Sequence, residues 1–154
     1  MLIKTIKGVP IILDDDNVIR FTADADIDSD GGPNVDNDPY WQPDTTLHHN
    51  GLPINAQTVP FAVIPIGVLN KVKGLGLGCK VIVTNALNGR SAVGVLADLG
   101  PTFKVGEISP AMARLIGVNP DSVRGGESRN VIRYEVFLDV PAVVNGVTYK
   151  LKRL

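Results

Sequence analysis

From Phe21 onward the chain alternates apolar residues with aspartates. Phe21, Ala23, Ala25 and Ile27 fall on one parity, and Asp24, Asp26, Asp28 and Asp30 on the other. A period of two belongs to a strand with one buried face. Carboxylates on the other face then stand roughly 7 Å apart along the strand. Such crowding is costly unless cations or solvent relieve it. Gly31-Gly32-Pro33-Asn34 ends the run. A strand like this must find partners within 154 residues, the size of one domain spanning the whole sequence. Sixteen glycines and eleven prolines suit several short strands and turns better than long helices.

Other segments supply those partners. Residues 33 to 57 read as a long loop, and long ordered loops in small domains are usually functional. Residues 59 to 69, VPFAVIPIGVL, read as a buried strand, and Gly74 to Gly78 as a glycine-rich turn. Lys80 to Thr84 and Ser91 to Leu96 are strands joined at Asn88-Gly89, a hairpin signal. The second of them delivers Asp98 where the chain leaves the sheet. Ser109 as cap, Pro110 at the first helical position and Gly117 as the stop predict a short helix, with Met112, Leu115 and Ile116 on its apolar face. Val131 to Leu138 is a strand. Val140 to Val144 and Val147 to Leu151 flank Asn145-Gly146, a second hairpin signal. The predicted architecture is mainly β, a small barrel with one short helix and long loops.

Composition excludes several classes. No run reaches the roughly 18 apolar residues of a membrane span, and the opening MLIKTIKGVPIILDDD lacks a signal peptide's apolar core and cleavage site. One cysteine, Cys79, excludes an internal disulfide and a cysteine zinc cluster. The net charge of −1 conceals a segregation: Asp14 to Asp44 holds ten aspartates and one cation, Arg20. The remaining bases are scattered, so no nucleic-acid footprint forms. A concentrated acidic surface favours a cationic partner, a metal ion or carboxylate chemistry.

Three places carry chemistry. Asp98 and Glu107 stand in separate loops at one expected barrel rim, where two carboxylates can flank a glycosidic bond. An inverting hydrolase separates them by about 6.5–9.5 Å and a retaining one by about 5–5.5 Å. The competing readings are a turn aspartate and a helix-dipole partner. The aspartate strand is the second place. Asp26 to Gly31 matches half of a calcium loop, but the twelfth position is Asn37 and no helix precedes it, so no metal site is assigned. Asp24, Asp26 and Asp28 read instead as a groove wall that binds amines and raises the pKa of a catalytic acid. The third is Pro39-Tyr40-Trp41-Gln42-Pro43, where Tyr40 and Trp41 either face a sugar ring or anchor the loop. His48-His49 and Gly74-x-Gly76-x-Gly78 lack the context of metal or phosphate sites. Arg124, Arg129 and Arg133 read as solvated.

Two resemblances rest on these stretches. Asp24-Ala25-Asp26-Ile27-Asp28-Ser29-Asp30-Gly31, then Tyr40-Trp41-Gln42, Thr58 to Pro65, Val93 to Asp98 and Val105-Gly106-Glu107-Ile108-Ser109 resemble the chitosanases of glycoside hydrolase family 75 over about residues 21 to 138. Ser29 stands where that family usually has cysteine. Val81 to Asn85, Asn88 to Ser91, Asp98 to Pro101 and Ile108 to Gly117 are similar to the double-psi β-barrel core of rare lipoprotein A and, more distantly, of expansins. The resemblances imply a six-stranded double-psi barrel with functional carboxylates at Asp98 and Glu107.

The resulting expectation is an inverting, cofactor-free glycoside hydrolase that cleaves β-1,4-linked hexosamine polymer of the chitosan kind. Asp98 is the general acid and Glu107 the general base, or the reverse. Asp24, Asp26, Asp28, Tyr40 and Trp41 bind substrate. The partner is a polysaccharide, with neither nucleic acid nor membrane, and the chain is a monomer. The alternatives are a peptidoglycan-cleaving muramidase or lytic transglycosylase borne by a phage particle or injected effector, and a glycan-binding module without catalysis.

Overall fold

The computed structural model describes residues 1–153. Twelve strands and two helices follow in order: β1 (Leu2–Ile6), β2 (Val9–Leu13), β3 (Val18–Ile27), β4 (His48–His49), β5 (Leu52–Pro53), β6 (Phe61–Pro65), α1 (Ile66–Leu69), β7 (Cys79–Asn85), β8 (Arg90–Gly100), β9 (Glu107–Ile108), α2 (Pro110–Ile116), β10 (Glu127–Pro141), β11 (Val143–Val144) and β12 (Val147–Thr148). Neither helix is long and apolar enough to cross a membrane.

The sheet closes on itself. Its order β3-β10-β7-β8-β6-β9 returns to β3 through a further β3–β9 pairing, which makes a six-stranded barrel as expected. Closure leaves these strands no open edge within the ring. Two contacts are parallel, β3 with β9 and β6 with β8, and the other four are antiparallel. The hairpin β1–β2 extends the sheet beside β3. Its turn at Lys7-Gly8 has both residues at positive φ, 48° and 79°, the geometry of a two-residue hairpin turn. The opening residues therefore build structure that their composition alone did not announce.

The core lies inside the ring. Phe21, Ala23 and Ala25 of β3 are buried, and Phe21 stacks on Tyr134 of β10 with centroids 4.7 Å apart. Ile108, Met112 and Ile116 are fully buried in the same cluster, and Phe61, on the Val63 side of β6, is fully buried on the other face of the sheet. Truncating a side chain such as Phe61 would cost about 3–5 kcal/mol.

The two hairpin signals and the capped helix occur where the sequence predicts them. Ser109 Oγ accepts from Met112 N at 3.2 Å, and Gly117 ends α2 in the left-handed conformation at φ 74°. Leu115 departs from the expected apolar face and is 48% exposed. The strand read over residues 59 to 69 is shorter: β6 ends at Pro65 and one helical turn follows. Pro65 has no N–H to donate to a ladder, so the chain can turn from sheet to helix there. The aspartate strand also ends early, at Ile27. Its partner β9 is two residues long, and the bond from Asp28 N to Ile108 O at 2.8 Å closes the ladder.

Candidate active site

Register places the carboxylates. Asp26 of β3 pairs with Glu107 of β9, Glu107 pairs with Val63 of β6, and Val63 pairs with Asp98 of β8. Directly opposed residues project to the same side of a sheet. One row across four strands therefore carries Asp26, Glu107, Val63 and Asp98. It lies on the face opposite Phe21, Ala23 and Ala25, which are buried. Asp98 and Glu107 are separated by two strand spacings, about 9.6 Å between backbones. Both belong to hydrogen-bonded strands, not to loops at a rim as the sequence suggested.

A bulge brings Asp98 into this row. Ala62 pairs with Leu96, but the next residue, Val63, pairs with Asp98, so Ala97 is an extra residue on β8. Without it, Ala97 would oppose Val63 and Asp98 would turn to the other face. Bulges beside functional sites commonly re-aim one side chain in this way.

Asp98 is 7% exposed and well held. Its Oδ1 accepts from Thr46 Oγ1 at 2.8 Å, Thr46 N at 3.1 Å and Leu99 N at 3.0 Å. The bond from Leu99 N is the local turn-type contact weighed from the sequence, but Thr46 adds two long-range ones. Thr46 comes from the long loop and was not singled out from the sequence. Asp28 and Asp30 stand in the turn after β3, where Asp28 Oδ1 accepts from Asp30 N at 2.9 Å and Asp30 Oδ1 from Gln42 N at 2.8 Å. One oxygen from each of Asp28, Asp30 and Asp98 lies within 4.8 Å of the others, so these three carboxylates are the ones that could hold a hard cation.

The alternative relief for such crowding is a proton. Burial, then the charges of Asp98 and Asp30, push Asp28 up to about 9, and Asp28 also shares a hydrogen bond with Asp98. Asp28 therefore keeps its proton at neutral pH, against Asp98. Burial raises Asp30 as well. Glu107 is likewise raised by burial, and Lys104 pulls it part of the way back.

These groups line one cleft of about 410 Å³. Its charged lining comprises Asp26, Asp28, Asp30, Asp38, Asp98 and Glu107 against one cation, Lys104, among the described residues. Lys104 Nζ lies 3.0 Å from Asp26 Oδ2 and 3.5 Å from Glu107 Oε1. Sequence reading passed over Lys104, although its spacing of three residues before Glu107 was visible.

The remaining expected site residues divide. Tyr40 lines the cleft and is 85% exposed. Trp41 does not line it: its indole Nε1 donates to Gly32 O at 2.9 Å and fastens the loop. Asp24 lies outside as well, in an adjoining recess of about 150 Å³ that shares Asp26 and Lys104 with the cleft. Burial, then the charge of Asp26, pushes Asp24 up to about 6. A somewhat larger cleft, about 480 Å³, lies over β2, β3 and β10. There Glu135 is paired with Arg20 at 3.0 Å, and no two carboxyls converge among the described residues.

A scan against protein-family models gives no match, and a search of the curated proteins gives none either.

Proposed function

We propose that the chain is a glycoside hydrolase acting on a cationic, hexosamine-rich polysaccharide of the chitosan kind with inversion. The observation that carries the reading is the row in which Asp98 and Glu107 flank Val63 inside one acidic cleft. With their backbones about 9.6 Å apart and a whole strand between them, the two residues suit the wider, water-admitting spacing of an inverting pair better than the roughly 5 Å of a retaining one. The motifs that resemble family 75 chitosanases fall on the same two residues.

In this mechanism the proton that Asp28 holds against Asp98 passes through Asp98 to the glycosidic oxygen as the C1–O bond breaks. Glu107 takes a proton from a water whose oxygen attacks C1 from the opposite side. Solvent then returns a proton to Asp28, and Glu107 releases to water the one it took. Asp28 keeps its proton by the rule that crowded, desolvated carboxyls stay protonated near neutral pH. The excess of carboxylates along the cleft favours protonated sugar amines, and Tyr40 offers an exposed ring at its edge.

The test is reducing-end release from chitosan and from peptidoglycan in parallel, with the anomer formed first followed by NMR. Release of α-anomer from chitosan supports the proposal. Anhydro ends from peptidoglycan would establish the transglycosylase instead, and binding without cleavage the non-catalytic module.

A further inference from the structure

We propose that Lys104 is a positioning residue: seated between Asp26 and Glu107, its ammonium fixes the Glu107 carboxylate as the water-activating base. The inference rests on the hydrolase reading and adds a residue to it.

Asp26 and Glu107 are directly opposed on adjacent strands, so their backbones are about 4.8 Å apart and their side chains share a face. Two carboxylates so placed repel, and each raises the other's pKa. Lys104 lies within ion-pair distance of both, 3.0 Å from Asp26 Oδ2 and 3.5 Å from Glu107 Oε1. The groups that act on Glu107 are Lys104 from the connecting loop, Asp26 from β3 and Asp98 from β8, with the buried Tyr134 hydroxyl behind them on β10. Lys104 is the sole cation in that set.

The ammonium also selects an oxygen. It engages Oε1, while Oε2 lies over Gly100, where a Cβ would approach it to 2.6 Å. No protein donor bonds Oε2 among the described residues, which leaves it for water. The loop that delivers Lys104 is itself constrained. Lys104 N donates to Pro101 O at 3.3 Å, and Gly106, at φ 95°, packs directly on the Asp24 backbone. Lys104 thus enters from a turn of fixed shape, and its side chain is only one-third exposed, 33%.

Lys104→Met and Lys104→Arg test the assignment through the pH dependence of kcat/KM on chitosan and through the carboxyl ¹³C titration of Glu107. An opposite charge at this distance lowers a carboxyl pKa by about 1–3 units. Its loss should therefore move the acid limb, and the Glu107 titration, upward by about one unit or more. kcat should fall, and KM for the cationic polymer should fall or hold, because a repelling charge leaves the cleft. Lys104→Arg should restore the wild-type limb. A purely structural role predicts a raised KM, an unshifted limb and an unshifted Glu107, and that result overturns the proposal. If the wild-type chain releases no reducing ends, the hydrolase reading fails by itself. The Glu107 titration then decides alone whether Lys104 tunes that carboxyl. Lys104→Gln, read the same way, replaces the methionine variant if that one does not fold.

Discussion

Asp98 and Glu107 are both register partners of Val63, one on each side of it. They are nine positions apart in sequence, yet three adjacent strands set their separation, and the loop between them does not. Each can therefore be replaced by its amide with little change in backbone. Asp98→Asn and Glu107→Gln should each lower turnover by about 10²–10⁴-fold, the usual worth of a general acid or base. Circular dichroism should remain that of the wild type. Retained activity in both amides ends the assignment.

Gly100 gives a way to move Glu107 without changing it. A Cβ at Gly100 would meet Glu107 Oε2 at 2.6 Å and Val63 Cγ1 at 3.3 Å. The first contact is with the end of a flexible side chain, which can swing away. Gly100→Ala should therefore cost on the order of 10²-fold in kcat through misplacement. Stability should fall by only about 1–3 kcal/mol. Steady-state kinetics alongside urea unfolding separates the two effects.

Gly106 should behave in the opposite manner. It has φ 95°, and a Cβ there would strike the Asp24 backbone carbonyl, which cannot swing away. Gly8, at φ 79°, has open space around it. Gly8→Ala should cost only the left-handed strain, about 1–2 kcal/mol. Gly106→Ala should cost visibly more, and a side-by-side measurement of unfolding midpoints checks the order.

Asp28 and Asp24 make stability depend on pH. Their folded pKa values, about 9 and about 6, stand above the ordinary 3.8. In that window the folded chain holds protons that the unfolded chain has released. The stabilisation is complete below about 4, and it is lost as pH rises, through about 6 for Asp24 and about 9 for Asp28. The urea midpoint should be higher at pH 5 than at pH 8, and Asp28→Asn should flatten most of that slope. An unchanged slope in the asparagine variant removes Asp28 as its source.

Tyr40 and Trp41 are adjacent but should respond differently. Tyr40→Ala should leave stability within about 0.5 kcal/mol, as befits a residue 85% exposed. It should raise KM for polymer, since the ring borders the cleft. Trp41→Phe loses the bond to Gly32 O, and a net hydrogen bond contributes about 0.5–1.5 kcal/mol. Loop proteolysis should report that loss more clearly than kinetics does.

Much of the fold was legible because its signals are local. The alternation around Phe21, the Asn88-Gly89 and Asn145-Gly146 turns and the Ser109 cap each depend on neighbours in sequence. The site was half legible. Asp98 and Glu107 were singled out through motif order, but the bulge at Ala97 and the donors from Thr46 arise only when distant strands pair. Asp28 and Asp30 left the expected row because the length of β9, a feature of another segment, ended their strand. Lys104 escaped notice because a lone lysine has no meaning until its two carboxylates are seen to face each other.

Ala97 has a consequence for how variants of this chain should be interpreted. Removing three nucleotides at that codon would change neither charge nor cysteine content, and mean hydropathy only slightly. It would bring β8 back into step with β6 and leave Asp98 opposite Val63, because the residue removed is the one the ladder skips. Loss of Ala97 should therefore leave Asp98 in its row, whereas a residue added between Leu96 and Asp98 pushes it out of step and should be the more damaging change.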